Sequence, residues 1–173
     1  MMVRGSCGRC CTRIGKRFNT EDTEIEHRGH GEEKRIVVAA VMERKDRRLL
    51  IGQRRRSDSS PLKWEFPGGK VREGETAEAA LARELREELG VTLTRCAEIG
   101  RVRHRYDVSV EDLEIRFFAA TFAEAELAPT CFEQVAWVLP KELGQYDFLA
   151  ANAELVANLA TGRIKAAEIL QGS

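Results

Sequence analysis

Three glutamates that stand close together in the sequence, Glu84, Glu87 and Glu88, could form a metal site. Residues three and four apart lie on the same side of a helix, so one helix would project all three carboxylates together. Like charges at this spacing repel by about 0.2–0.5 kcal/mol per pair, and a divalent cation would offset that repulsion. Oxygen ligands without imidazole or thiolate suit Mg²⁺ or Mn²⁺, which also bind substrate phosphates. For an isolated E-x-x-E-E pattern the alternative is a solvated surface helix.

The neighbouring residues predict the helix that carries these acids and the loop ahead of it. Thr76 is a typical N-cap, and Gly90 stands where a helix ends in a left-handed residue. Upstream, the glycine-rich run 67–74 predicts a loop whose backbone can approach a ligand closely. A side that packs on the core is indicated by leucines at four-residue spacing, namely Leu81, Leu85 and Leu89.

The same segment matches a longer pattern at every specified position. The pattern G-x5-E-x7-R-E-U-x-E-E-x-G-U, with U apolar, is met by Gly69, Glu75, Arg83, Glu84, Leu85, Glu87, Glu88, Gly90 and Val91. This is the Nudix box, and on it the chain resembles the Nudix hydrolases. The preceding W-E-F-P-G-G-K, residues 64–70, is more similar to the MutT branch, which acts on nucleoside triphosphates, than to the ADP-ribose branch.

The resemblance implies an α/β fold, the Nudix-type α/β/α sandwich, with a mixed β-sheet between helices and the box as a loop–helix–loop. It also implies structural roles within the box. Glu75 and Arg83 are expected to form a salt bridge that fixes the loop against the helix and holds Arg83 away from the metal. The glycines Gly69 and Gly90 complete this structural set.

The metal and its ligands follow from the same resemblance. Glu84, Glu87 and Glu88 are expected to hold Mg²⁺, or else Mn²⁺, and the backbone carbonyl of Gly68 is expected to add a ligand. A bound metal would neutralise phosphate charge and lower the pKa of a bound water, so that a nucleophile is available near neutral pH.

Residues outside the box are implied to bind the nucleotide. In MutT-like proteins an arginine at the place of Arg54 contacts the phosphates. Residues 147–152, D-F-L-A-A-N, resemble the MutT segment whose asparagine, here Asn152, reads an oxidised guanine through its amide donor and acceptor. Phe66 and, within the box, Lys70 complete the expected substrate site. The alternatives are a solvated basic turn at 54–56 and an asparagine that merely begins the last helix.

The general base is left open by the sequence. Many family members use a glutamate in the loop before a Trp-bearing strand, and an ungapped count back from Trp137 places Cys131 there, with Glu133 two residues later. Either Glu133 serves after a small shift, or the base comes from the box, with Glu84 the favoured residue. An ordinary loop acid is an equally good interpretation of Glu133.

Composition limits the partners of the chain. Lys plus Arg and Asp plus Glu both number 28, so no overall positive field exists to hold a nucleic-acid polymer. No apolar run is long enough to span a membrane or act as a signal segment. We therefore expect a cytoplasmic monomer or homodimer whose partner is a nucleoside triphosphate, with no nucleic acid and no membrane.

The expected domain is residues 34–163, between a disordered N-terminal tail at 1–33 and a C-terminal tail at 164–173. A zinc site in the N-terminal stretch is the less favoured alternative, because its H-x-x-H spacing is poor. Its candidate ligands are Cys7, Cys10, Cys11, His27 and His30.

Apolar periodicity predicts the remaining elements. Strands 35–42 and 48–53 are expected to pair antiparallel to each other, and so are strands 98–108 and 111–122. Trp64 to Phe66 predicts a short strand that ends at Pro67, and 134–138 another. A closing helix is predicted at 148–160.

These inferences favour a Mg²⁺-dependent hydrolase that converts a nucleoside triphosphate to a monophosphate and pyrophosphate. The leading substrate is 8-oxo-dGTP, whose removal would prevent mutation. Hydrolysis of CTP, of another pyrimidine nucleotide or of a nucleotide sugar is the first alternative. A domain that senses nucleotides without cleaving them is the second.

Overall fold

The computed structural model of the protein describes residues 2–4, 35–105, 112–123 and 126–172. The helices are α1 (Ala77–Leu89), α2 (Ala153–Ala160) and α3 (Ala166–Gln171), and 3₁₀ turns span Pro140–Gln145 and Ala150–Asn152. The strands are β1 (Met2–Arg4), β2 (Arg35–Met42), β3 (Leu49–Gln53), β4 (Trp64–Glu65), β5 (Gly68–Lys70), β6 (Leu93–Arg105), β7 (Asp112–Phe122) and β8 (Gln134–Val138).

A mixed sheet in the order β5-β2-β7-β6 forms the centre of the fold. Strand β2 runs parallel to β7 and antiparallel to β5, and β6 pairs antiparallel with β7 as predicted. The sequence of β2, R-I-V-V-A-A-V-M, is almost entirely apolar. Such a run suits a strand that is covered on both faces, which is the place β2 occupies.

The predicted pairing of 35–42 with 48–53 is wrong. Strand β3 lies in a second, antiparallel sheet of order β1-β8-β3-β4 and pairs with β4 and β8. Strands β2 and β3 meet through the isolated bridge between Glu43 and Leu49. Because a strand has two hydrogen-bonding edges and those of β2 are taken by β5 and β7, no edge is left for β3 along most of its length.

Two apolar clusters cover the two faces of β2. Val38, Ala40 and Met42 pack with the apolar side of α1, whereas Ala39 and Val41 pack with residues of α2 and α3. This alternation follows from the two-residue period of a strand. The mixed sheet therefore lies between helices, which confirms the predicted α/β/α arrangement.

The capping residues predicted at the two ends of α1 are confirmed. The Thr76 hydroxyl accepts a hydrogen bond from the backbone N–H of Ala79 at 3.2 Å, and Gly90 adopts φ 72° as the left-handed C-cap. The apolar residues Leu81, Leu85 and Leu89 are fully buried. The opposite side of the helix is thus left to the glutamates.

The predicted closing helix is shorter than expected. Helix α2 begins at Ala153 after the 3₁₀ turn, and Phe148 instead forms a parallel bridge with Trp64. The Phe148 ring also packs on Phe66, with ring centroids 5.5 Å apart. These tertiary contacts hold Phe148 in extended backbone even though its apolar spacing suits a helix.

Both expected tails contain regular structure. Residues 2–4 form β1 against β8, while the cysteines and histidines of the suggested zinc site lie outside the described residues. At the other end, α3 buries Ala166 and Leu170 in the core, and the Glu43 carboxylate accepts a hydrogen bond from the N–H of Ala167 at 3.0 Å. Residues 166–171 are therefore a packed helix and not the expected tail. Within the residues described, no helix has both the length and the apolar character needed to cross a membrane.

Replacing Leu170 by alanine tests this packing. The side chain is 5% exposed, so Leu170→Ala should lower the free energy of unfolding by about 2–5 kcal/mol, as a truncation in a core does. Urea unfolding followed by circular dichroism measures it. The exposed neighbour Gln171→Ala is the control, and equal stability of the two variants would show that α3 does not contribute to the core.

Candidate active site

The predicted loop at 67–74 contains strand β5, and two adjacent glycines let this strand approach both β2 and the box. A Cβ on Gly68, whose φ is 153°, would lie 2.0 Å from the carbonyl oxygen of Val38. A Cβ on Gly69 would lie 2.4 Å from the carboxylate carbon of Glu84. Each position is thus filled by backbone or by a carboxylate, which explains why the pattern requires glycine here.

Arg83 joins the loop to the helix. Its Nε and Nη2 donate to the two carboxylate oxygens of Glu75, both at 2.9 Å, and Nη2 also donates to the Lys70 carbonyl at 2.9 Å. The Arg83 side chain is 11% exposed. Because the guanidinium donates hydrogen bonds to Glu75, it lowers the pKa of that carboxyl to about 2. The loop is therefore held by a charged pair that stays ionised at neutral pH.

Arg83 is not held away from the expected metal ligands. Its Nη1 donates to Glu84 Oε1 at 2.6 Å and lies 3.5 Å from Glu87 Oε2. The expectation that Arg83 is held away from the metal stays a prediction. The guanidinium supplies positive charge directly beside two of the three box glutamates.

Glu88 is half-buried and contacts the backbone of β5. Its Oε2 accepts a hydrogen bond from the Gly68 N–H at 3.0 Å. Burial raises the pKa of Glu88 well above its ordinary value, and the nearby charges of Glu65 and Glu84 add to the rise, while the Gly68 bond opposes it. A cation placed against this carboxylate would favour its ionised form.

The three acids are not gathered into a cage. Across the described ranges, no group of three His, Cys, Asp or Glu side chains is close enough to hold a metal. Each carboxylate has a protein partner instead: Arg83 for Glu84, Arg72 at 3.5 Å for Glu87, and the Gly68 amide for Glu88. The residues still fit Mg²⁺ as a donor set, because they offer oxygen ligands on one side of the helix and one of them, Glu88, lies near other carboxylates that raise its pKa.

A cavity of about 310 Å³ adjoins the box at Gly68. The expected substrate residues all line it, so the fold brings together positions that are far apart in the sequence. These are Arg54, Phe66, Lys70 and Asn152. A larger cavity of about 460 Å³ lies beside Glu43 and Lys165. It contains no residue of the box, so chemistry rather than size marks the first cavity as the candidate site.

Arg54 is bound on several sides by protein groups. Its Nη1 donates to both oxygens of Glu65 at 3.1 and 3.0 Å, while Nε and Nη2 donate to the backbone and hydroxyl oxygens of Ser59. The guanidinium therefore anchors the segment after β3 as well as lining the cavity.

Glu65 is a candidate site residue that the sequence analysis did not single out. Its side chain is 22% exposed, and burial raises its pKa, although Arg54 opposes the rise. The available signal was a charged residue between Trp64 and Phe66 in a strand directly before the box. The fold places this acid near enough to Glu88 to affect its pKa.

Asn152 occupies the 3₁₀ turn before α2 and is 4% exposed. Its backbone N–H donates to the Leu149 carbonyl at 2.9 Å. Its side-chain amide makes no hydrogen bond within the described part of the chain. A buried amide that lines a cavity without a protein partner has donor and acceptor capacity left for a ligand.

Glu133 does not line the cavity that contains the expected substrate residues. Its backbone N–H donates to the Gln53 carbonyl at 2.8 Å, and its carboxylate lies 3.7 Å from Arg56. Its side chain is 42% exposed and is not among the residues that line the cavity. Cys131 lies beside Thr130, with its sulfur 3.6 Å from the Thr130 hydroxyl. Neither residue is part of the assembled cavity.

The fold and this site define a class of protein. Residues 33–159 match the NUDIX domain, and the chain belongs to this family. It is a Nudix hydrolase and acts on nucleotide substrates, as the resemblance of its box implied.

Particular relatives refine this class. The chain is 36% identical over 126 residues to putative 8-oxo-dGTP diphosphatase 2 of Mycobacterium tuberculosis, covering 72% of this chain and 87% of the relative. It is also 36% identical over 121 residues to CTP pyrophosphohydrolase of Escherichia coli, covering 69% and 87%. A solved MutT structure, from work on Aliivibrio salmonicida and Vibrio cholerae, aligns with TM-score 0.64 and 29% identity over 75% of this chain and 99% of that one.

The Glu75–Arg83 pair makes a pH-dependent contribution to stability. A pKa lowered from 4.5 to about 2 stabilises the fold above pH 4.5, and this contribution fades as the pH falls towards 2. We expect Glu75→Gln to lower the free energy of unfolding at pH 7, and the difference from wild type to shrink by pH 3. Urea titrations at both pH values measure it. Glu73→Gln, at an exposed loop position, is the control, and a difference independent of pH would contradict the assignment.

Proposed function

We propose that this Nudix hydrolase is a Mg²⁺-dependent nucleoside triphosphate diphosphatase with 8-oxo-dGTP as its leading substrate. The carrying observation is that one cavity joins Gly68, beside the box glutamates, to Asn152, a buried amide without a protein partner. The Mycobacterium tuberculosis relative named as a putative 8-oxo-dGTP diphosphatase supports the choice of substrate. The products would be a nucleoside monophosphate and pyrophosphate, and the role would be removal of an oxidised nucleotide.

Glu84, Glu87 and Glu88 would hold the metal, with the Gly68 carbonyl as a further ligand. When bound, Mg²⁺ supplies neutralisation of phosphate charge and a water of lowered pKa. The chain's own contribution is to place these acids: Gly68 donates to Glu88, and Gly69 leaves room for the Glu84 carboxylate.

The residues around the cavity would position the nucleotide. Lys70 and Arg54 supply positive charge along its wall for a polyphosphate. Phe66 gives an apolar surface, and the Asn152 amide can pair with a purine edge through both its donor and its acceptor. Holding the base and the phosphates at once places the phosphorus for attack by water, with pyrophosphate as the leaving group.

We assign the general base to the box and not to Glu133. The Glu133 carboxylate pairs with Arg56 and does not line the cavity. The Glu84 carboxylate lies beside Gly69 and accepts a hydrogen bond from Arg83 at 2.6 Å. These contacts hold the carboxylate next to β5. A Glu133→Gln variant with full activity would agree with this assignment, whereas loss of activity would return Glu133 to the mechanism.

CTP hydrolysis is the second candidate function. The Escherichia coli relative named CTP pyrophosphohydrolase is as similar in identity as the putative 8-oxo-dGTP diphosphatase, so a pyrimidine substrate has equal support from sequence. A nucleotide sensor is the third candidate, and it would bind nucleotides without releasing product.

One screen separates these candidates. Purified protein with Mg²⁺ is offered 8-oxo-dGTP, dGTP, CTP and ADP-ribose, and pyrophosphate and monophosphate are quantified. We expect the highest kcat/KM for 8-oxo-dGTP. Preference for CTP would replace the substrate assignment, and binding without any product would favour the sensor.

Removing one metal-holding carboxylate should abolish turnover without unfolding the protein. Mutating a residue that only supports a metal ligand typically lowers activity by about 10–100-fold. We expect Glu88→Gln and Glu87→Gln, which each remove a ligand itself, to lower kcat by more than this. Mg²⁺-dependent product release measures the effect, and circular dichroism checks the fold. Glu78→Gln, on an exposed position in the first turn of α1, is the control. Unchanged activity of Glu88→Gln would contradict its assignment.

Removing the Asn152 amide should change substrate preference. We expect Asn152→Ala to lower kcat/KM for 8-oxo-dGTP by about 10–100-fold, because the amide would lose a donor and an acceptor bond to the base, each worth about 0.5–1.5 kcal/mol. Steady-state kinetics with 8-oxo-dGTP and dGTP measure the change in their ratio. Asn158→Ala, on α2 but not lining the cavity, is the control. An unchanged ratio would show that Asn152 does not read the base.

A further inference from the structure

The C-terminal turn of α1, which carries Glu87 and Glu88, is closed by a segment far away in the chain. A helix leaves its last four carbonyls without partners inside the helix. In α1 all four are satisfied. The donors are Gly90 N to Arg86 O at 3.1 Å, Thr130 Oγ1 to Glu87 O at 2.8 Å, Thr130 N to Glu88 O at 2.9 Å, and Ala128 N to Leu89 O at 2.9 Å.

Thr130 provides two of these four bonds, and they reach the carbonyls of two expected metal ligands. Its backbone N–H could come from almost any residue, but the bond to Glu87 O requires a side-chain hydroxyl. That hydroxyl also lies 3.4 Å from Glu88 O. Serine and threonine are the residues that can place a short hydroxyl here.

The carbonyl of Thr130 links the same turn to the cavity wall. It accepts a hydrogen bond from the guanidinium of Arg55. Arg55 follows Arg54, which lines the cavity and is bound to Glu65. Thr130 thus connects the C-terminal end of α1 to the segment that contains Arg54 and Arg55.

We propose that Thr130 is a positioning residue for the metal-binding turn. It touches neither substrate nor metal and acts by fixing the backbone of Glu87 and Glu88. Mg²⁺ requires near-ideal octahedral geometry at short distances, so a small displacement of the turn that carries two ligands weakens binding. The proposal rests on the proposed metal site of the hydrolase.

Exposure separates this role from simple stabilisation. Thr130 is exposed, so loss of its hydroxyl removes little buried surface. Losing the hydroxyl therefore affects mainly the backbone of Glu87 and Glu88. Metal affinity should change more than the stability of the fold.

Mn²⁺ binding, followed by electron paramagnetic resonance, tests the proposal without substrate. Thr130→Val keeps the shape and removes the hydroxyl, whereas Thr130→Ser keeps the hydroxyl. We expect Thr130→Val to raise the Kd for Mn²⁺ by about two- to tenfold, the equivalent of one lost hydrogen bond. Thr130→Ser should bind within about twofold of wild type. The Mg²⁺ concentration for half-maximal hydrolysis should shift in parallel.

A matched control removes the hydroxyl of another exposed, hydrogen-bonded threonine. The hydroxyl of Thr94 bonds to that of Thr121 at 2.9 Å between β6 and β7 and is not among the donors to the four α1 carbonyls, so Thr94→Val should leave Mn²⁺ affinity unchanged. Wild-type affinity in Thr130→Val, or equal weakening in the valine and serine variants, would overturn the proposal. If Thr130→Val does not fold, Thr130→Ala takes its place, and wild-type Mn²⁺ affinity in that variant would overturn the proposal as well.

The two readouts keep this proposal distinct from the proposed function. Weaker Mn²⁺ binding in Thr130→Val, in a protein that hydrolyses none of the nucleotides offered, would support the positioning role and reject the diphosphatase. If the protein hydrolyses an offered nucleotide and Thr130→Val binds Mn²⁺ with wild-type affinity, the diphosphatase is supported and the positioning role is rejected. A wild-type protein that binds no Mn²⁺ would overturn the positioning role.

Discussion

The site depends on one constraint: several carboxylates lie close together on and around α1, and each needs a positive or hydrogen-bonding partner. Arg83 meets much of this need, since its guanidinium contacts Glu75, Glu84 and the Lys70 carbonyl. Its partners raise the pKa of Arg83, led by Glu75, so the guanidinium stays charged. Loop, helix and strand β5 are joined by this single side chain, and its loss would leave both the loop and the acids unsupported.

Glu88 is the box glutamate whose pKa its surroundings raise. Burial is the main cause of the rise, and the carboxylate accepts a hydrogen bond from the neutral backbone amide of Gly68. A carboxylate that loses solvent contact beside like charges is costly, and groups with a strongly shifted pKa are commonly functional. The same glycine lines the cavity that also contains Arg54 and Asn152. The chain belongs to the NUDIX domain family.

The surroundings of the box stabilise it from three directions. The mixed sheet buries the apolar side of α1 through Val38, Ala40 and Met42. The segment before β8 closes the C-terminal turn of the helix through Thr130. Beside the cavity, Arg54 and Glu65 connect the segment after β3 to the short strand before the box. Acids on one helix are in this way coupled to a cavity whose walls come from strands and turns distant in sequence.

The sequence by itself determined the elements that depend on nearby residues. The caps at Thr76 and Gly90, the buried leucine side of α1 and the box pattern are local, so spacing and residue type were enough to predict them. Only the tertiary structure decided contacts between distant segments. It placed β3 in the second sheet, kept Phe148 extended against Trp64, packed Leu170 in the core, and brought Glu65 and Thr130 to the acids. The physical reason is that these contacts depend on which strand edges and core surfaces remain free once the chain has folded, and local periodicity carries no information about that choice.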